Sequence, residues 1–272
     1  MENKNRQLLE DVQVDSKQEK QPDRQSTPSQ GANEDEASVE SNHITFDEDG
    51  ETPLESFTIK DGQLNGEVVA YQAGVISGKV TFAGGVPDGT AKFFRPDGRT
   101  KQQLNYKGGA RNGESQAFDT KGNLVLIQNF KDGKKDGITQ IFEAGRKTAE
   151  MTYKDGLRQG PSIYFFASGL PSVRFMYVAD MRQGRAETYD NQGRLCRIDT
   201  YKDDLIEGLV QEITKEGRVF KTHNYITGLQ DGESILYDAN GDREEVTVYD
   251  KGRVVEVRTS RFASSASRNT GG

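Results

Sequence analysis

At 272 residues, 32% of them hydrophobic and 29% charged, the chain has too few apolar side chains for a large two-sided core. One cysteine, Cys196, and two histidines, His43 and His223, exclude an intrachain disulfide and every multi-cysteine metal site. The net charge of -7 gathers in residues 1–55, which carry 5 Lys+Arg against 15 Asp+Glu; the body of the chain is nearly neutral and lacks the concentrated basic surface that nucleic acid requires.

Residues 1–55 are rich in Gln, Ser, Asp and Glu, with Phe46 as their only aromatic, so they cannot bury enough apolar surface to offset chain entropy. They read as a disordered acidic tail in which Leu8, Leu9, Val12 and Val14 leave room for a short helix on a partner. No run approaches 18 consecutive apolar residues, and Met1 to Gln30 lack the apolar centre of a signal peptide, so a soluble, cytoplasmic protein is expected. The run Asp47-Glu48-Asp49-Gly50 departs from the order of a calcium loop and reads as turn chemistry.

From residue 56 to 257 a repeat governs the chain. One aromatic recurs at Phe57, Phe82, Tyr106, Phe130, Tyr153, Tyr177, Tyr201, Tyr225 and Tyr249, at spacings of 23 to 25. A glycine follows at Gly85, Gly109, Gly133, Gly156, Gly228 and Gly252, replaced by Asp180 and Asp204 in two units. A second glycine is unbroken at Gly66, Gly89, Gly113, Gly137, Gly160, Gly184, Gly208 and Gly232, and five residues after each stands an aromatic, or Ile213 in one unit. A third glycine closes each unit, as at Gly122, Gly193 and Gly241.

Asp119-Thr-Lys-Gly122, Asp190-Asn-Gln-Gly193 and Asp238-Ala-Asn-Gly241 suit a type I turn closed by a left-handed glycine. Lys131-Asp-Gly-Lys134 and Lys154-Asp-Gly-Leu157 suit the type I′ turn, which needs positive φ at both central residues. Each unit is therefore two antiparallel strands. The whole is predicted to be all-β: an elongated single-layer antiparallel β-meander of about eight β-hairpin repeats, with about sixteen strands spaced at roughly 4.8 Å. Mid-strand glycines such as Gly184 are expected to lie beneath an aromatic ring of the next strand. Residues 258–272, small and polar, read as a flexible C-terminal tail.

Laid out this way, the unit resembles the MORN-repeat variant family, whose bacterial YwqK-type members are regarded as antitoxin or immunity proteins. The resemblance covers roughly residues 56–257, with Asp180, Asp204, Ile213 and the acidic tail as departures. It implies a hairpin array that binds a protein partner, with no catalytic residues and no cofactor. Its eukaryotic relatives add scaffolding and contact with membrane phospholipids. The expected function is thus a non-enzymatic inhibitor that occludes one partner, with a scaffold or adaptor at a membrane or secretion apparatus, or a translocated effector, as the alternative.

Catalytic and ligand readings are weak. His223 has no nucleophile at regular spacing and reads as a surface or half-buried histidine; Cys196 reads as a small packing residue; the glycines lack a following Lys-Ser/Thr and read as turns, not phosphate loops. Two sets remain as candidate partner contacts. Arg99, Arg146, Arg194 and Arg218 each follow the third glycine, either as solvated turn-flanking charges or as a basic line for an acidic protein or lipid headgroups. Phe93, Tyr164, Phe166, Phe175 and Phe220 lie beside the aromatic ladder and are candidate hot spots on the sheet face.

Overall fold

A computed structural model describes residues 39–48 and 50–259. All the regular structure among the described residues is β: 24 strands, every neighbouring pair antiparallel, and no helix. The chain forms two compact units, one up to Ala110 and the other from Arg111 onward.

The two turn types predicted from sequence are both present. At the type I corner Gly122 N–H donates to the Asp119 carbonyl (3.1 Å), Asp119 N–H donates to the Asn123 carbonyl (2.9 Å), and Gly122 has φ +88°. At the type I′ corner Asp132 and Gly133 have φ of 49° and 80°. Asp180 and Asp204 keep the same left-handed conformation as the glycines they replace, at φ 69° and 67°. Two corners at the third glycine, Ala73-Gly74 and Ala144-Gly145, are two-residue turns with positive φ at both positions, and the second accounts for the short spacing of 23 between Phe130 and Tyr153.

The strands outnumber the expected sixteen for three reasons, the first being a ninth hairpin, in which Arg243–Asp250 pairs with Arg253–Thr259. Five of them are two-residue pieces, such as Met181–Arg182 and Leu205–Ile206, cut from a longer strand by a bulge. The array also begins earlier: Glu40–Phe46, assigned by composition to the disordered tail, pairs along Pro53–Lys60, and Gly50 N–H donates to the Asp47 carbonyl in the turn between them. Composition missed this strand because one neighbour's ladder, not its own apolar content, holds it. Residues 1–38, with the short helix expected around Leu8, Leu9, Val12 and Val14, and the C-terminal tail beyond Thr259 lie outside the described residues.

The bulge is built around the unbroken glycine. Gln159, Gly160 and Pro161 together face Thr152, and Asp88, Gly89 and Thr90 face Thr81. Extra residues on one strand free a carbonyl, which the facing polar side chain covers: Thr81 Oγ1 donates to the Thr90 carbonyl at 3.2 Å, Asn129 Nδ2 to Ile138 at 2.9 Å and Asn224 Nδ2 to Glu233 at 3.2 Å. Each bulge glycine pairs across with the recurring aromatic of the next strand, as in Gly184↔Tyr201 and Gly208↔Tyr225. The ring does not lie where a side chain would project, because the Cβ positions of Gly184 and Gly208 are open within 4 Å. What demands glycine there is the left-handed backbone, φ +74° and +80°, and not ring cover.

Two residues past the glycine, on the aromatic's face, runs a row of short side chains. In the first unit it holds Val68 and Ala91, buried with Val80, Phe82, Phe93, Leu104 and Tyr106. In the second unit the row is Ser115, Thr139, Ser162, Ala186, Val210 and Ser234, all buried.

Candidate interaction surface

The four arginines after the third glycine are exposed, and two of them, Arg99 and Arg194, pair within their own turns. Arg99 pairs with Asp97 (3.2 Å) in the first unit; in the second, Arg194 pairs with Asp190 (2.8 Å), Arg218 Nη1 donates to the Ala239 carbonyl, and Arg146 Nη1 reaches the Ala167 carbonyl at 3.4 Å. Arg99 and Arg194 are thus turn-flanking charges neutralised by an aspartate, while Arg146 and Arg218 meet only carbonyl groups of the next unit's turn among the described residues.

The aromatic candidates divide. Phe93 is 2% exposed inside the first unit's core and cannot meet a partner, a correction to the surface reading; its strand alternation places it on the buried face with Ala91. Phe175 is half-buried and sits among Tyr164, Tyr177 and Tyr201 at ring separations of 5.9 to 6.3 Å, with the Arg182 guanidinium 5.6 Å from its centroid. These edge-to-face contacts make it part of the packing. Phe166 and Phe220 are half-buried, and Tyr164 is exposed at the rim of the Phe175 cluster.

A second cationic set, missed in sequence, explains how the second unit holds its ladder. Arg111, Lys135, Arg158 and Arg182 stand five residues after the aromatic, and each lies over the aromatic of the next unit: Phe130, Tyr153, Tyr177 and Tyr201 at 5.1, 5.0, 4.1 and 4.3 Å. Arg158 donates through its backbone N–H and Nε to Asp180 Oδ1 (2.8 and 3.2 Å), and Arg182 does the same to Asp204 (2.9 Å each). The two turns that carry Asp in place of glycine are thus those whose Asp clamps an arginine. The bonds from the Arg182 backbone and side chain hold the Asp204 carboxyl below the usual carboxylate range.

His223 is buried, further than the surface or half-buried reading placed it. Its Nε2 is 3.1 Å from Glu212 Oε1, and its Nδ1 is 2.9 Å from Gln230 Nε2 and 2.8 Å from Ser234 Oγ. Serine, histidine and glutamate thus meet, but the Ser234 hydroxyl donates to the Thr222 carbonyl (3.0 Å) and is 6% exposed, so it is not presented as a nucleophile. Cys196 Sγ lies 3.3 Å from the Thr188 carbonyl, and burial, reinforced by Asp190, pushes its thiol up, which suits packing over reactivity.

The surface that sequence reasoning did not find lies at the type I′ turns of the second unit. Leu157, Val178, Met181, Leu205, Ile226 and Leu229 flank four consecutive turns and are 40 to 52% exposed. Val178 pairs with Met181 and Ile226 with Leu229, while Lys154 and Lys202 oppose Leu157 and Leu205. Leucine methyls lean onto the following turn, with Leu205 Cδ2 at 3.4 Å from the Cβ position of Gly228 and Leu229 Cδ2 at 3.9 Å from that of Gly252. At these two steps the row passes from one turn onto the next. Its signal in sequence is an aliphatic residue four positions after the aromatic at Leu157, Met181, Leu205 and Leu229.

No family model and no curated protein matches the chain. Among solved structures, a point mutant of S. aureus TarM in complex with Fondaparinux, alpha-GlcNAc-glycerol and UDP matches at 13% identity and a TM-score of 0.23, over 44% of this chain and 19% of that one. A second TarM crystal structure matches at 13% identity and a TM-score of 0.18, over 48% of this chain and 19% of that one. Both matches span about a fifth of TarM and are too distant to bear on activity.

Proposed function

We propose that this is a non-enzymatic protein-binding repeat protein, of the MORN-variant kind that its repeat resembles, which inhibits one protein partner in the cytoplasm by covering its surface. The observation that carries the reading is the aliphatic row of the second unit. Six aliphatic side chains exposed along consecutive turns cost solvation free energy that a protein partner removes on docking. An antiparallel ladder presents them with little loss of backbone conformational entropy on binding. Arg194, paired with Asp190 and lying between Arg146 and Arg218 in the series, interrupts the basic line that an anionic lipid would read.

The test is affinity capture of the tagged protein, followed by the double variant Leu205→Lys, Leu229→Lys. The expected result is one partner at near 1:1 stoichiometry, lost by the double variant while its melting temperature stays within about 2 °C, because exposed substitutions change stability little. Retention of the partner by the folded variant would refute the row as the docking surface. Sedimentation with anionic liposomes, abolished by changing Arg146, Arg194 and Arg218 to Ser, would replace the inhibitor reading with a membrane scaffold.

A further inference from the structure

The last described strand of the array has one neighbour. Arg253–Thr259 pairs with Arg243–Asp250, and no strand lies on its other side among the described residues. All seven of its residues are exposed, with Val254, Val255 and Val257 at 55 to 60%. An edge of this kind turns its outer backbone N–H and C=O groups to solvent, where they can pair with another extended chain.

Proteins blunt such edges with proline, lysine or a bulge. This strand has neither proline nor lysine, and its bulge comes early. The register shifts between Tyr249↔Val254 and Val248↔Glu256, after which Glu256, Val257, Arg258 and Thr259 pair with Val248, Thr247, Val246 and Glu245 without interruption. The regular end carries two charges of opposite sign on one face. Arg258 Nε and Nη2 donate to Glu256 Oε1 and Oε2 at 2.7 Å each, and Arg258 Nη1 lies 3.4 Å from Glu233 Oε1. Both side chains are about half exposed, so each can still meet a charge from outside.

We propose that this edge pairs with a second copy of the chain: two Arg253–Thr259 strands run antiparallel about a two-fold axis at Val257. A two-fold axis normal to the sheet keeps every side chain on its own face, so the axis passes through a residue that meets its own copy. At Glu256 it would set two carboxylates against each other, and at Arg258 two guanidinium groups; like charges directly opposite are destabilising. At Val255 it would centre the pairing on the bulge and place Glu256 against Val254. At Val257 it sets Glu256 against Arg258 of the second copy, twice, with Val257 on Val257 and Val255 on Thr259. Charge complementarity thus selects one register. The pairing closes on itself, because the strand Glu40–Phe46 at the other end of the array carries the single charge Glu40 and lacks a reciprocal pair. This edge is separate from the aliphatic row, and the proposal does not rest on that row.

The experiment is sedimentation velocity of the full chain over a concentration series up to about 0.5 mM, which spans weak association. The expected result is a shift from one chain toward two as concentration rises, smaller at high salt. Glu256→Arg and Arg258→Glu each replace two attractive pairs by two repulsive ones and should weaken self-association about tenfold or more. Mixed together, the two single variants should form a heterodimer, and the double variant, with its charges exchanged, should regain the homodimer. Circular dichroism should be unchanged in all of them, because both positions are exposed. A chain that stays monomeric throughout, a dimer indifferent to either single variant, variants that fail to combine, or growth into larger assemblies would overturn the proposal.

Discussion

At the scale of single residues, the strongest constraint is backbone conformation. Gly184 has φ +74° with open space where a side chain would project, so Gly184→Val meets no clash yet forces a β-branched residue into the left-handed region. The expected loss is about 1–2 kcal/mol or more, read from the urea midpoint; an unchanged midpoint would show that the bulge relaxes. The turn aspartates make a second prediction. Bonds from Arg194, backbone first and then side chain, hold the Asp190 carboxyl below its ordinary value, and Asp119 and Asp238 are lowered by their own turn donors. Because the folded pKa values are depressed, this stabilisation is complete above the unfolded carboxylate pKa near 4 and is lost as pH falls through the lower folded values. Thermal melts should be flat above about pH 5 and fall below about pH 4, and Asp190→Asn should shallow that fall.

At the scale of the hairpin, packing on one face decides what a side chain does. Phe175 was legible as an extra aromatic, but its role came from Tyr177 on its own strand and from Tyr164, Tyr201 and the Arg182 guanidinium on other strands. Phe175→Ala should therefore destabilise the second unit by about 2 kcal/mol, below the roughly 3–5 kcal/mol of a fully buried ring because Phe175 is half-exposed. Chemical denaturation checks this, and full stability with lost partner binding would return Phe175 to the docking surface. Turn chemistry was readable here because it depends on adjacent residues. The pairing of Asp180 with Arg158 and of Asp204 with Arg182 was not, because each bond spans 22 residues.

At the scale of the molecule, repetition sets the frame. Deleting residues 184–207, 24 residues from one bulge glycine to the next, joins Gln183 to Gly208 in phase. The variant should stay all-β by circular dichroism with a lower melting temperature, since each repeat contacts mainly its neighbours; loss of cooperative melting would show that the second unit is not modular. The aliphatic row belongs to this scale as well. Each exposed leucine is unremarkable in its own hairpin, and only the stacking of consecutive turns makes a surface of them.

The amino-acid sequence alone determined the all-β class, the repeat length and both turn types, because glycine, aspartate and alternation act over a few residues. The tertiary structure decided the rest: the added strand Glu40–Phe46, the burial of Phe93 and His223 and the cation–aromatic ladder. Those properties depend on what the neighbouring strand places opposite each side chain. That register is formed only when the hairpins pair.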